Sequence, residues 1–197
     1  MDPEMTGIVL AGGRAARMGG ACDKAFLKID NETIIDGQLK ILKQIFKEMI
    51  VVTNSANSYK DIKEVTVIPD IIRERGPIGG IYSGLLASHS FYNFVVACDM
   101  PFINAKLIEY MITLKDGYDI VVPRIEGKYE ALFSIYSKNC VRPISEAIEK
   151  GRLTVGELFT DVRVREVAGD EIMKFGDADT IFMNVNTKED LCRIRAC

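Results

Sequence analysis

The stretch "IVLAGGRAARMGGACDK" at 8–24 combines residue types suited to binding a charged nucleotide. An apolar run of the kind found in buried strands stops at Gly12 and Gly13, which have no Cβ atoms where the backbone must bend or approach a ligand. Their amides can then face phosphate groups or the edge of a base. Two arginines and the final lysine add positive charge. The loop therefore favours a phosphate-binding role, and a plain tight turn remains the alternative.

A second candidate is "VVACDMP" at 95–101, which places Asp99 after another apolar run. A carboxylate close to a triphosphate would repel it unless a divalent cation lay between them, so Asp99 is a candidate magnesium ligand. On spacing alone, Asp99 could equally be a turn-forming residue. The loop at 8–24 has neither the P-loop pattern nor the G-x-G-x-x-G fingerprint, so a dinucleotide-dependent oxidoreductase is disfavoured.

Short apolar runs alternate with helical patterns, which predicts an α/β fold with a mostly parallel, mixed sheet and helices on both faces. The strands lack strict polar alternation, as expected for strands covered on both sides. Strands are expected at Thr6–Ala11, Glu48–Thr53, Val65–Ile68, Phe94–Ala97, Asp119–Pro123, Leu132–Ser137, Arg163–Val167 and Ile181–Met183.

Helices are predicted where apolar residues recur at spacings of three and four. Ile35, Leu39, Leu42 and Phe46 line one face of the first, with Thr33 as its start. The others are expected at Gly79–Ser88, at Lys106–Leu114 after Asn104, at Asn139–Lys150, and at Thr187–Arg195 after Asn186.

Ligands of open α/β sheets bind outside the carboxyl ends of the strands, which directs attention to "LAGG", "TN", "PD" and "CDMP". The chain of 197 residues suits a single domain, with a nucleotide-binding part at about 5–103 and a second part at about 104–197. From about Arg124 onward the rhythm is less regular, and this part could form a lobe beside the sheet.

Composition excludes several classes of function. A formal net charge of −3 provides no broad basic surface for nucleic acid, and no apolar run approaches the length of a membrane span. The five cysteines show no C-x-x-C spacing and are expected to be reduced thiols of a cytoplasmic protein. With His89 as the single histidine, we expect no histidine-based zinc site.

The stretch "LAGGRAARMGGACDKAFLKI" resembles the motif L-A-G-G-x-x-x-R-M-G-x-D-K-x-L of nucleotidyltransferases with a glycosyltransferase-A-like fold, also called the nucleotide-diphospho-sugar transferase fold. With "GPIGGIYSGL", "CDMPFI" and "NVNTKEDL" in this order, the chain is similar to the molybdenum cofactor guanylyltransferases from Met5 to about Arg195. The resemblance implies transfer of GMP from magnesium-bound GTP to molybdopterin, with release of pyrophosphate and formation of molybdopterin guanine dinucleotide.

The resemblance also implies roles for the residues of the first loop. Leu10, Ala11 and Gly12 would border the guanine, and Gly13 would let the backbone approach the nucleotide. Arg17 and Lys24 would hold phosphates, while Arg14 does not match the arginine of the motif.

Further roles are implied outside that loop. Asn54 and Asp70 would contact the nucleotide, and a carboxylate that accepts from guanine would give a basis for choosing this base. Asp99 matches the magnesium ligand, and Gly80, with Gly76 and Gly79, would bring a helix close to the site. Asn184 and Asn186 would lie at the active site, and Asn186 could equally be a helix N-cap.

The segments that would contact the acceptor match less well. The segment "GKYEALFSIY" carries Glu130 and Ala131 where a proline is expected, and "GRLTVGEL" offers Arg152 for a substrate phosphate. A sister enzyme that uses CTP for molybdopterin, or that acts on a sugar phosphate, is therefore an alternative, and a non-catalytic nucleotide-binding protein is a more remote one. Other proteins of molybdenum cofactor biosynthesis, or the enzymes that receive the cofactor, are candidate partners.

Overall fold

The computed structural model describes residues 5–11, 24–185 and 190. Gly12, Gly13, Arg17, Asn186 and the helix predicted at 187–195 lie outside the described residues, apart from position 190. The described residues form an eight-stranded sheet and a separate two-stranded hairpin. The strands are β1 (Met5–Leu10), β2 (Lys28–Ile29), β3 (Glu32–Thr33), β4 (Glu48–Val52), β5 (Thr66–Ile68), β6 (Tyr92–Ala97), β7 (Ile120–Ile125), β8 (Lys128–Tyr129), β9 (Phe133–Ser137) and β10 (Val164–Ala168).

The main sheet has the order β10-β7-β9-β6-β1-β4-β5, with β8 paired to β7. Strand β1 lies between β6 and β4 and is parallel to both, β5 continues parallel to β4, and β10 runs parallel to β7. Only β9 and the short β8 run the other way within the described sheet, because β9 pairs antiparallel with β6 and β7. The prediction of a mixed, mostly parallel sheet is therefore confirmed. Six carboxyl strand ends meet at one edge, which we call the catalytic edge.

The first helix begins where the sequence predicts. The side chain of Thr33 accepts a hydrogen bond from the backbone N–H of Asp36, which is the usual geometry of an N-cap. Ile35, Leu39 and Leu42 are buried on its inner face. The helices are α1 (Ile34–Ile45), α2 (Pro77–Ala87), α3 (Ala105–Thr113), α4 (Val141–Glu149), α5 (Gly169–Ile172) and α6 (Ala178–Ile181). Among the described residues, no helix combines the length and apolar character that crossing a membrane requires.

The sheet separates two apolar cores, so the fold has three layers. Successive residues of β1 point to opposite faces: Val9 packs in the core that α1 and α3 cover, while Ile8 and Leu10 pack in the core that α2 and α4 cover. This arrangement buries both faces of the central strand, which explains why its sequence is continuously apolar.

Two expectations about the second half of the chain are corrected. Ile181–Met183 does not form a strand: the carboxylate of Asp177 accepts from the backbone N–H of Thr180, and this N-cap starts the short helix α6. The apolar residues there instead pack inward, with the ring of Phe182 edge-on to that of Phe133 at 5.3 Å. The part after Arg124 also contributes β9 and β10 to the main sheet, so it does not form a lobe beside it.

Candidate active site

The end of β1 is tied into the sheet up to Ala11. The N–H of Ala11 donates to the carbonyl of Val52 at 2.9 Å, and the carbonyl of Leu10 accepts from the N–H of Cys98 at 3.0 Å. Both Leu10 and Ala11 are buried. These bonds fix the point at which the glycine-rich loop leaves the sheet, directly beside the turn that carries Asp99.

That turn, which we call the Asp99 turn and define as residues 97–100, is anchored on several sides. The N–H of Ala97 donates to the carbonyl of Leu132 at 3.0 Å, and the carbonyl of Asp99 accepts from the N–H of Val185 at 2.8 Å. Burial raises the pKa of the Asp99 carboxyl, and the positive charge of Lys24 partly offsets that rise. The turn therefore presents a partly desolvated carboxylate next to a cation.

Lys24 is held at the catalytic edge by its neighbours in the chain. It opens a short 3-10 helix, Lys24–Phe26, in which Ala25 is fully buried. The ring of Phe26 packs against the buried ring of Tyr59, with 4.9 Å between centroids. These apolar anchors fix the backbone at Lys24, and its positive charge acts on the carboxylate of Asp99, which lies 75 positions later in the chain.

Asp70 is held in a small polar network beyond β5. Its Oδ1 accepts from the hydroxyl of Ser83 at 2.8 Å and from the N–H of Ile72 at 3.2 Å. Its own N–H donates to Oδ1 of Asn54 at 3.3 Å. The structure therefore brings together the two predicted nucleotide contacts after β4 and β5. Among the described residues, Oδ2 of Asp70 takes part in no hydrogen bond.

The start of α2 approaches the end of β1 closely. Gly76 caps the helix with a positive φ of 65°, a conformation that favours glycine. A Cβ on Gly80 would lie 3.3 Å from a methyl carbon of Leu10, and one on Gly79 would lie 2.9 Å from the carbonyl oxygen of Ile72. The glycines allow this close packing, which also brings the helix N-terminus to the catalytic edge.

Asn184 is exposed and belongs to the segment that bonds to the Asp99 turn. Its side-chain N–H donates to the carbonyl of Phe182 at 3.2 Å, and the next residue, Val185, donates to Asp99. The described part of this segment, Asn184 and Val185, therefore lies against the Asp99 turn.

Comparison with known proteins agrees with this geometry. The MobA-like NTP transferase domain matches residues 7–162, which include β1, the Asp99 turn and most of the sheet. The chain belongs to this family.

Relatives of this MobA-like chain carry consistent names. It is 36% identical over 192 residues to a probable molybdenum cofactor guanylyltransferase of Pelotomaculum thermopropionicum, with 98% of this chain and 92% of the relative covered. It is 34% identical to a molybdenum cofactor guanylyltransferase of Desulfosudis oleivorans, covering 98% of this chain and 95% of that protein.

Solved structures show the same fold. Molybdopterin-guanine dinucleotide biosynthesis protein A from Archaeoglobus fulgidus superposes with a TM-score of 0.82 at 24% identity, covering 97% of both chains. A 4-diphosphocytidyl-2C-methyl-D-erythritol synthase from Anaerococcus prevotii gives 0.73 at 14% identity, covering 98% and 97%. The predicted nucleotide-diphospho-sugar transferase fold is thereby confirmed.

The donor set of this MobA-like site suits a metal that is shared with a substrate. Within the described residues, no three His, Cys, Asp or Glu side chains cluster to form a protein-only metal site. Asp99 provides a carboxylate on which the positive charge of Lys24 acts. Mg²⁺ is commonly bound by one or two carboxylates together with substrate phosphates and water, so the residues fit such an ion.

Glu130 and Arg152, the acceptor-side candidates, differ in how they are engaged. The N–H of Glu130 donates to the carbonyl of Pro123 at 3.0 Å, and its carboxylate makes no hydrogen bond with the described part of the chain. Burial raises the pKa of this carboxyl, with a smaller opposing effect of Lys128. Arg152, in contrast, is paired with Asp161 at 3.0 Å. Both residues therefore keep unused hydrogen-bonding capacity, because Nε of Arg152 is buried and has no partner within the described part of the chain.

Two residues of the site region were missed by the sequence analysis. Ser83 is buried in α2, where it supports Asp70, and Gln38 is buried in α1, where it contacts the Asp99 turn. In both cases the available signal was a polar residue within an apolar helical pattern. Gln38 lies three residues after Ile35 and four before Leu42, on the face that packs against the sheet.

Proposed function

We propose that this protein transfers GMP from magnesium-bound GTP to molybdopterin, releasing pyrophosphate and forming molybdopterin guanine dinucleotide. The observation that carries the proposal is the Asp99 turn, which is bonded to the end of β1 through Leu10 and carries a partly buried carboxylate on which the charge of Lys24 acts. The names of relatives at 36% and 34% identity over nearly the whole chain support the same reaction.

Asp99 would bind the metal, and Lys24 with Arg17 would bind phosphates of the nucleotide. Bound Mg²⁺ would supply neutralisation of the charge on the triphosphate and on the departing pyrophosphate. Gly12 and Gly13 would offer backbone amides and space for close approach. Asn184 and Asn186 would contact the bound substrates. They flank Val185, whose N–H donates to the carbonyl of Asp99.

Asp70 would select guanine by accepting hydrogen bonds from its N1–H and exocyclic amino groups. The side chain of Asn54 accepts a hydrogen bond from the backbone N–H of Asp70 and so supports this residue. Leu10, Ala11 and Gly80 would form the surface on which the base lies. The carbonyl of Leu10 and the N–H of Ala11 already take part in hydrogen bonds with Cys98 and Val52. We therefore assign Leu10 and Ala11 packing contacts with the base.

The reaction would be a direct displacement. An oxygen of the acceptor phosphate attacks the α-phosphorus of GTP, a new P–O bond forms, and the bond to the bridging oxygen breaks as pyrophosphate leaves. A phosphate monoester is largely ionised near neutral pH, so no general base is needed. Positioning and charge stabilisation by Lys24, Arg17 and Asp99 would supply the catalysis.

We assign both functions to one domain, with the nucleotide bound mainly by residues 5–103 and molybdopterin mainly by residues 104–197. The partly buried carboxylate of Glu130 lies in the second part, at the same edge. The five cysteines show no C-x-x-C spacing, which favours reduced thiols and a cytoplasmic location, where other proteins of cofactor biosynthesis, or enzymes that receive the cofactor, would be partners.

The decisive experiment measures pyrophosphate release from GTP, CTP, ATP and UTP, with and without molybdopterin. We expect release that depends on both GTP and molybdopterin, and its loss in Lys24→Ala and Asp99→Ala. The exposed residues Lys40 and Asp116 provide charge-matched controls, Lys40→Ala and Asp116→Ala, that should retain activity. Preferred use of CTP would favour the sister cytidylyltransferase, and nucleotide binding without transfer would favour the non-catalytic alternative.

A further inference from the structure

Gln38 contacts the Asp99 turn from the helix layer. It is fully buried in α1, and its side-chain nitrogen donates to the carbonyl of Ala97 at 2.8 Å and to the carbonyl of Met100 at 2.7 Å. The two acceptors bracket Cys98 and Asp99. One side-chain amide therefore joins both ends of the turn that carries the proposed metal ligand.

The orientation of this amide is determined by its partners. Both partners are backbone carbonyls, which only accept, so the nitrogen of Gln38 must face them and both of its protons are used. The oxygen Oε1 is buried and has no hydrogen-bond partner in the part of the chain that the structure describes. A buried unpaired acceptor is unfavourable, and an apolar residue would avoid it at this position of the apolar face of α1.

We infer that Gln38 is a positioning residue that holds the Asp99 carboxylate in the geometry required for binding the metal and nucleotide together. The inference rests on the proposed role of Asp99. Leu10 holds the N–H of Cys98, Val185 holds the carbonyl of Asp99, and Gln38 holds the carbonyls on either side. Without Gln38, the two ends of the turn would lose their shared donor, and the Asp99 carboxylate would sample more orientations.

Gln38→Met tests this inference, because methionine has a similar length and fills the apolar space but donates no hydrogen bond. We expect the Mg²⁺ concentration that half-saturates the GTP-dependent rise in Tm to increase about tenfold, a factor equivalent to 1.4 kcal/mol. The rise in Tm that GTP causes in the presence of chelator should stay within twofold of the rise in the native protein, because the glycine-rich loop and Asp70 are unchanged.

Asn93 in β6 provides a matched control. It is also fully buried, its side-chain nitrogen also donates to backbone carbonyls, and its Oδ1 also lacks a partner among the described residues. The Asp99 turn follows the carboxyl end of β6, whereas Asn93 lies at the amino end of this strand, near Ser90 and Tyr136. Asn93→Leu should lower Tm but leave the Mg²⁺ dependence unchanged.

A native Mg²⁺ dependence in Gln38→Met, or an equal shift in Asn93→Leu, would overturn the inference and leave Gln38 a packing residue. If Gln38→Met does not fold, Gln38→Glu keeps the length and, when protonated, offers one proton for two carbonyls. It should show an intermediate shift, and a native Mg²⁺ dependence would refute the proposal in the same way. Since the readout is binding, it remains informative if the native protein transfers no GMP to molybdopterin, which would refute only the proposed reaction.

Discussion

Replacing Asp70 by asparagine should erode the preference for GTP, and the structure indicates which atom is responsible. Oδ1 accepts from the N–H of Ile72, which can only donate, so the amide of Asp70→Asn must keep its oxygen at that position. The new NH₂ group then occupies the place of Oδ2, which no described residue uses. The internal network with Ser83 is preserved, and we expect normal folding.

The magnitude follows from the hydrogen bonds from guanine that are lost, and applies to each bond. A hydrogen bond to a charged group contributes about 1.5–3 kcal/mol, which corresponds to a loss in kcat/KM for GTP of about 10- to 150-fold. ATP should be affected much less, because adenine does not offer the N1–H that the carboxylate of Asp70 would accept. The ratio of kcat/KM for GTP to that for ATP should therefore narrow.

Competition assays with GTP, ATP and ITP at limiting enzyme measure this effect. ITP lacks the exocyclic amino group, so if that group pairs with Asp70, the losses from ITP and from Asp70→Asn should be far less than additive. Asp61→Asn removes an equal charge from the preceding β4–β5 connection and should change none of these values. Equal losses for GTP and ATP, or strict additivity with ITP, would refute the assignment of Asp70 to guanine.

Three further predictions concern packing, pH and the acceptor. Gly84→Ala should lower Tm by several degrees, because the new Cβ would lie 2.7 Å from a methyl carbon of buried Ile8. The cost of overpacking, about 1–3 kcal/mol, should exceed the helix-propensity gain of about 1 kcal/mol, and an unchanged Tm would contradict this. Burial alone would raise the pKa of Asp119, but hydrogen bonds led by that from Arg163 hold this pKa below its ordinary value. The contribution of Asp119 to the free energy of unfolding should therefore be complete above pH about 4 and be lost as the pH falls through the lowered pKa. Arg163→Met should reduce this loss of unfolding free energy at low pH, measured by chemical denaturation between pH 2 and 6. An unchanged pH dependence would show that the Asp119–Arg163 pair is not its source. Glu130→Gln should raise KM for molybdopterin while leaving KM for GTP unchanged, and the reverse pattern in initial-rate kinetics would place Glu130 on the nucleotide side.

Much of the nucleotide half could be predicted because its signals are local. Thr33 and Asn104 are N-caps whose side chains accept backbone N–H groups, and each is followed by a helical apolar pattern. The continuous apolar runs of β1 and β6 indicated strands that are buried on both faces. Since parallel strands end at one edge, the strand predictions alone place the end of β1 beside the Asp99 turn that follows β6.

What the sequence analysis missed depends on tertiary contacts or on short turns. The tight connection between β7 and β8 places Glu126 and Gly127 at positive φ angles of 47° and 81°, and such a two-residue hairpin gives little sequence signal. The segment near Phe182 has the composition of a strand, yet it packs as part of α6 and the following turn because Asp177 caps a helix there. The role of Gln38 required the position of Ala97 relative to α1, which no local pattern contains.

The order of the strands fits the proposal that both substrates bind at this edge. From β1 the chain moves outward to β4 and β5 and then returns to β6 on the other side of β1, so the strand order reverses between β1 and β6. Loops that leave neighbouring strands at such a reversal separate and open a crevice. At this reversal the chain leaves β1 at Ala11 and leaves β6 at the Asp99 turn. Beyond β6, the antiparallel β9 places its amino end at the same edge, so the segment that precedes it, including Glu130, reaches the crevice. A strand parallel to β6 would have placed that segment at the far edge. The reversed strand therefore brings a segment from the second half of the chain to the edge that carries Asp99, as the proposed transfer between two bound substrates would require.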